Sequence, residues 1–300
     1  MQWMYLHGYV QDGSVLVDAV DGNAFGNGSV RVEPFYGEDG IMGCELLTSL
    51  RTSGGQDLNI EKASRESHAL GIADQFDRVT MNNALKRISL IDRDPPPGPF
   101  SVNASPDYIL SGALKRDVER VFEKGLAFPR GLIIEVLETP ISRAYKDADI
   151  RHLQCLQANW GVKFYLDDYE AGRPGISSEE ENSHYERLEK FGDVLSGVKF
   201  DGKFVRAALE NENEAKGLES SIKGIRASFP DIVIVAEHVD TFLKAKILFD
   251  SYGVDAVQGR DLTPEDHRRF VLRRAAELRH DDMFSEAAST LPTPQMPEVA

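Results

Sequence analysis

Short apolar runs recur along the chain, and each closes on a polar side chain. Phe100–Val102 ends at Asn103, Leu132–Ile134 at Glu135, Val162–Leu166 at Asp167 and Leu195–Val198 at Lys199, so these four polar residues stand 32 positions apart. That interval fits one strand plus one crossover helix. Ile232–Ala236 closes on Glu237 and Val254–Val257 on Gln258 in the same way. Upstream, Val30–Tyr36 and Ile41–Leu50 read as two strands joined by the turn Gly37-Glu38-Asp39-Gly40, a hairpin signal. Helical spacing over residues 57–92 (Ala69, Ile72, Ala73, Phe76, Val79, Met81, Leu85) is stopped by Pro95-Pro96-Pro97-Gly98-Pro99. Ser105-Pro106-Asp107 is a helix start, a capping hydroxyl followed by proline in the first turn. Strand and helix then alternate to about Glu277, which predicts a mostly parallel sheet with right-handed crossovers. About eight strands, the first pair antiparallel, predict an α/β fold of the modified (β/α)8 TIM-barrel type.

The pattern divides the chain into an N-terminal extension (1–28), a barrel domain (29–279) and a polar, proline-bearing tail (280–300) expected to be disordered. A net charge of −15 argues against a nucleic-acid polymer as partner, because phosphate backbones are bound through basic surfaces. An anionic substrate would need local cations to offset that field, and bound metal ions are the natural source. Cys44 and Cys155 lack metal-ligand spacing and read as two reduced core thiols of a cytoplasmic protein. The chain offers no apolar run of membrane-spanning length and no signal-peptide pattern, so no membrane insertion is expected. From Glu179 to Lys190 the sequence predicts a charged, solvated helix.

Parallel strands that each end in a ligand-type side chain gather those side chains on one rim, where barrels of this kind keep their chemistry. The rim set is Glu45, Asn103, Glu135, Asp167, Asp168, Lys199, Glu237 and Gln258. Its five carboxylates repel one another unless cations sit between them. Oxygen-only ligands select hard ions, Mg²⁺ or Mn²⁺, and the adjacent pair Asp167-Asp168 suggests a bridge between two of them. Two such ions are a recurrent device for phosphodiester hydrolysis, with Lys199 placed to orient water or stabilise transition-state charge. Each residue also has a plainer reading. A lone Asp or Glu after a strand is often a helix cap, Asn103 fits a cap for the helix near Pro106, Lys199 fits a barrel-end ion pair, and Gln258-Gly259 fits a turn.

These motifs resemble those of the EAL-domain phosphodiesterases, which hydrolyse the bacterial second messenger cyclic di-GMP to linear pGpG. The resemblance covers roughly residues 29–275 and rests on Glu45-Leu46-Leu47, Ser101-Val102-Asn103-Ala104-Ser105, Glu135-Val136-Leu137-Glu138, Asp167-Asp168-Tyr169-Glu170, Lys199-Phe200-Asp201, Ala236-Glu237-His238-Val239-Asp240-Thr241 and Gln258-Gly259, in that order. It implies a first metal ion held by Glu45, Asn103, Glu135 and Asp167, and a second that shares Asp167 and adds Asp168 and Glu237. It implies catalytic roles for Lys199, Glu237 and Glu45, with Lys199 contacting the attacking water. Substrate contacts are implied for Gln258, Leu47 and Asp201, and a homodimer through the region of the Asp167-Asp168 loop.

The chain departs from the family pattern at several positions. Ser49 stands where an Arg often holds a substrate phosphate, Glu33 replaces the Gln before Pro34, Leu137 replaces a Thr, and Asp240 replaces a Glu. Glu170 replaces a Gly that can take φ > 0, and the segment from there to Lys199 is longer than usual. These changes leave two expectations open. One is a phosphodiesterase. The other is a catalytically impaired regulator on the same barrel that binds cyclic di-GMP, or a protein partner through the acidic insertion 170–192.

Overall fold

The computed structural model describes residues 29–50, 60–69, 73–90, 98–123, 131–137 and 145–274. The expected extension 1–28 and tail 280–300 lie outside the described residues. Eight strands close into a barrel in chain order: β1 (Ser29–Tyr36), β2 (Ile41–Ser49), β3 (Phe100–Ala104), β4 (Leu132–Val136), β5 (Lys163–Tyr169), β6 (Leu195–Phe200), β7 (Val233–Ala236) and β8 (Ala256–Gln258). β1 runs antiparallel to both neighbours, pairing Glu33 with Glu45 on β2 and Phe35 with Gln258 on β8, while β2 to β8 are parallel. The Gly37–Gly40 turn makes the first reversal, with the Gly37 amide donating to the Gly40 carbonyl at 2.8 Å.

The helical stretch expected over 57–92 is two helices, α1 (Ile60–Ala69) and α2 (Ala73–Leu90), with residues 70–72 outside the described set. α3 (Pro106–Leu110) begins as the sequence predicts: the Ser105 hydroxyl accepts from the Tyr108 amide and Pro106 opens the first turn. The crossovers continue with α4 (Ala113–Glu123), α5 (Asp147–Trp160), α6 (Ser178–Phe191), α7 (Gly202–Glu210), α8 (Glu212–Ser228) and α9 (Phe242–Ile247).

Strand alternation explains the core. Leu46, Val102, Ile134, Leu166, Val198, Ala236 and Val257 face outward and pack with helix residues such as Met81, Leu114, Leu156, Phe191, Phe204 and Leu218. The residues on either side of them point inward, and those one position before meet each other across the barrel. Phe35, Ile133, Tyr165, Val235 and Ala256 form an inner apolar plug. Two rings fill most of it because two glycines leave room: a Cβ on Gly43 would lie 2.3 Å from the Phe35 ring, and one on Gly197 would lie 2.6 Å from the Tyr165 ring. Cys44 is buried as expected, but Cys155 is exposed on α5, so only one thiol belongs to the core; the periodicity of a solvent-side helix position decides this.

Candidate active site

Two residues along each strand from the plug, on the same inward face, stands a polar side chain. The set is Glu33, Glu45, Asn103, Glu135, Asp167, Lys199, Glu237 and Gln258, one from each strand or its end. The apolar plug closes the floor beneath them. Glu33 escapes the strand-end pattern because β1 runs the other way, so its mouth-side residue comes before the plug residue Phe35 rather than after it.

Lys199 is the hub. It is 1% exposed, and its Nζ lies 2.6 Å from Glu237 Oε1, 2.9 Å from Glu135 Oε2, 3.3 Å from Glu45 Oε2 and 3.5 Å from Asp167 Oδ1. Burial alone would push its pKa down; the charges of Asp167, Glu135, Glu237 and Glu45 outweigh that and hold it well above the usual lysine value. The barrel-end ion pair that the sequence allowed is therefore a four-carboxylate cage. Asn103 does not cap α3, since Ser105 does; its Nδ2 donates instead to Glu45 Oε1 at 2.7 Å. Gln258 Nε2 donates to Glu45 Oε2 at 2.6 Å and to Glu33 Oε1 at 3.4 Å, and Glu33 pairs with Arg31 at 3.0 Å.

The carboxylates divide by environment. Burial pushes the Glu45 carboxyl up, but the Lys199 charge and hydrogen bonds from Gln258, Asn103 and Lys199 hold it below the usual glutamate value. Burial raises Glu135 well above that value, and the charge of Glu45 adds to the effect against Lys199. Burial also raises Glu237 to about 8, opposed by Lys199 and reinforced by Asp167 and Glu45. The same ring therefore favours the ionised form of Glu45 and the protonated forms of Glu135 and Glu237 around one lysine ammonium.

The site also fits metal ions. Asp167, Asp168 and Glu237 offer ligand oxygens that all lie within 4.8 Å of one another. Asn103 Oδ1, Glu135 Oε1 and Gln258 Oε1 are buried without a hydrogen-bond partner, so acceptor atoms face the interior of the ring. With Glu33 paired to Arg31, the other five carboxylates (Glu45, Glu135, Asp167, Asp168, Glu237), once all ionised, would leave four negative charges against the one ammonium, the number two divalent cations neutralise.

The Asp167-Asp168 pair depends on a lapse in the sheet. The β5–β6 register shifts between Leu166 and Tyr169, and Asp168 takes φ 51°, in the left-handed region. This lets two consecutive residues serve one site although strand neighbours normally face apart. Glu170 does not take positive φ, so losing the glycine at that position imposes no backbone strain. Burial raises the Glu170 carboxyl to about 7, helped by a hydrogen bond with Asp201 and by its charge, while Arg173 opposes at 2.7 Å. Asp201 thus serves Glu170 and caps α7, its Oδ1 accepting from the Lys203 amide at 2.7 Å and the Phe204 amide at 3.1 Å. Leu47 follows Glu45 on the same face of β2, half-buried, one step nearer the mouth.

The family model for the EAL domain matches residues 33–264. The chain belongs to the EAL-domain family, the family of cyclic di-GMP phosphodiesterases. Among solved structures it is similar to the FimX EAL domain of Xanthomonas citri in complex with cyclic di-GMP, at 15% identity and TM-score 0.60 over 78% of this chain and 86% of that one. It is likewise similar to the PaMucR phosphodiesterase in complex with cyclic di-GMP (20% identity, TM-score 0.58, 78% of this chain and 89% of that one). An EAL-domain protein from Listeria monocytogenes EGD-e shares 19% identity at TM-score 0.61, over 80% of this chain and 89% of that one. No curated protein matches the chain. At these identities the structural likeness establishes the EAL barrel. Among the described residues no helix is long and apolar enough to cross a membrane.

Proposed function

We propose that this chain is a metal-dependent phosphodiesterase that hydrolyses cyclic di-GMP to pGpG. The observation that carries the reading is the meeting of Glu45, Glu135, Asp167 and Glu237 around one buried Lys199, with Asp168 alongside Asp167 and Glu237. The family membership supplies the substrate class, and the cyclic di-GMP in the FimX and PaMucR complexes agrees with it.

Glu45, Asn103, Glu135 and Asp167 would hold one Mg²⁺ or Mn²⁺, and Asp167, Asp168 and Glu237 a second. Ions bound there would polarise a phosphoryl oxygen and make water acidic enough to attack at neutral pH. Lys199 is fixed by its carboxylate neighbours and would keep its positive charge close to the negative charge that develops on the phosphoryl group. Against burial, the Lys199 charge and the hydrogen bonds from Gln258 and Asn103 hold Glu45 toward its ionised form, the form that would ligate a cation. Burial pushes Glu135 and Glu237 toward protonation, so a cation held there would compete with protons and its uptake would depend on pH. Gln258 and Asn103 orient Glu45 by hydrogen bonds to its two oxygens, and Leu47 supplies an apolar edge at the mouth for a substrate base. In the reaction the water oxygen forms a new bond to phosphorus, one ester P–O bond breaks, and the departing sugar oxygen gains a proton.

Purified protein incubated with cyclic di-GMP and Mg²⁺ or Mn²⁺ is expected to yield pGpG, read by chromatography. Folded protein that produces none in either metal refutes the enzyme. A second reading is a catalytically impaired regulator on the same barrel, to which Glu33 lends support by adding a sixth carboxylate opposite Glu45 that an active metal centre would have to accommodate. Calorimetric binding of cyclic di-GMP in Ca²⁺, with no product in Mg²⁺ or Mn²⁺, selects that reading.

A further inference from the structure

We infer that Arg187, on the outer helix α6, is a positioning residue that clamps the two strand ends carrying Glu135 and Asp167. The inference rests on the metal-centre reading above and adds to it a residue that no rim pattern reveals.

α6 lies against the wall of the barrel with His184, Arg187, Leu188 and Phe191 buried. Arg187 is 5% exposed. Its Nη2 donates to the Val136 carbonyl and to the Asp167 carbonyl, each at 3.2 Å. Val136 directly follows Glu135 at the end of β4, and Asp167 is the ligand shared by the two proposed ions. The β5–β6 ladder lapses at Asp167-Asp168, so this stretch of main chain is not held by regular pairing on that side. A main-chain carbonyl at such a lapse needs a donor, and a charged one makes a stronger bond than a neutral one. Burying a guanidinium is costly, and an apolar residue beside Leu188 and Phe191 would avoid that cost. What an apolar residue cannot do is tie β4 to β5 at the level of the ligands. The Tyr169 ring packs edge-on against His184 at 5.2 Å, so α6 holds the bulge at two points one helical turn apart. Arg187 therefore sets the aim of Glu135 and Asp167 through their own backbone while touching neither carboxylate.

Arg187 also lines an open cavity of about 700 Å³ between α5 and α6, together with Tyr145, Ile150, Arg151 and Gln154. A small guanidinium can reach the position from solvent, which makes the role testable by chemical rescue.

The experiment is Mn²⁺ titration of wild type, Arg187→Ala, Arg187→Lys and, as control, Arg151→Met from the same cavity. Affinity is read by calorimetry and the ion's environment by electron paramagnetic resonance. Arg187→Ala is expected to bind Mn²⁺ about 10–100-fold more weakly, as when a ligand's supporting shell is removed. Arg187→Lys should lose less, Arg151→Met should match wild type, and millimolar methylguanidinium should recover part of the Arg187→Ala loss together with the wild-type spectrum. Folded Arg187→Ala with wild-type affinity overturns the proposal, as does an equal loss in Arg151→Met or a loss that methylguanidinium leaves unchanged. If Arg187→Ala does not fold, Arg187→Lys carries the test, and wild-type affinity and spectrum in that variant overturn the proposal. Wild type that takes up no Mn²⁺ overturns the metal-centre reading and this proposal together; wild type that binds, with variants that bind equally, overturns this proposal alone.

Discussion

Replacing Lys199 by Met keeps the length and volume of the side chain and removes the one ammonium at the centre of the ring. Four carboxylates now stand within 3.5 Å of that charge, all of them largely buried. Breaking a buried pair by removing one partner typically costs about 3–5 kcal/mol, because the remaining charge is left uncompensated. Proton uptake moderates the loss: Glu135 and Glu237 already have raised pKa values, so they can neutralise themselves. The full effect is therefore expected above pH 8 and a smaller one near pH 5. For a domain of this size each kcal/mol moves the melting temperature by roughly 2–4 °C, so the metal-free variant should melt about 6–20 °C below wild type at high pH. The assay is circular-dichroism melting of both proteins in chelator and then in Mn²⁺. Mn²⁺ should raise the variant's melting temperature more than that of wild type, since it replaces the missing charge. A variant that melts with wild type in chelator at high pH would refute the view that Lys199 is the internal counterion.

The pH dependence of metal-free stability follows from the same ring. Glu237 has a folded pKa of about 8, above its unfolded value, so the stability it contributes is fully present below the unfolded value and is lost as pH rises through about 8. Denaturant titration in chelator should show that decline between pH 5 and 8.5, Glu237→Gln should flatten it, and a flat wild-type profile would count against the assignment. Glu45→Ala removes a proposed ligand, leaves Asn103 Nδ2 without its acceptor and Gln258 Nε2 with only the longer contact to Glu33, so pGpG formation should fall to background while circular dichroism stays native; retained turnover would exclude Glu45 as a ligand. Gly197→Ala drives a Cβ into the Tyr165 ring in the plug and should cost about 1–3 kcal/mol by chemical denaturation, a test of whether the floor is as tightly filled as the geometry says.

Most of the ring is legible in the sequence because a barrel strand repeats a simple rule. Side chains alternate, every parallel strand ends at the same mouth, and the crossover helices have similar lengths, so Asn103, Glu135, Asp167 and Lys199 recur at a fixed interval. The antiparallel hairpin is legible for a related reason, since a four-residue Gly-bounded turn cannot make a parallel connection. Glu33 joins the same ring outside the rule because its strand runs backwards. Cys155 shows a local limit: an isolated thiol says nothing about which face of a helix it occupies. Ser105, not Asn103, caps α3, and the sequence shows it, because proline in the first helical turn places the cap at the residue just before it.

Sequence by itself determined the closed alternation of strands and helices, the acidic rim and the family to which the chain is similar, because these depend on local pattern and on side-chain period. Only the tertiary structure decided how the charges settle. Lys199 reaches four carboxylates from four other strands or their ends, Glu45 is held toward ionisation while Glu135 and Glu237 are pushed toward protonation, Glu170 joins Asp201 instead of straining the backbone, and Arg187 enters from an outer helix to hold Val136 and Asp167. Each outcome depends on distances and burial between residues far apart in the chain, and electrostatic energies vary with exactly those quantities.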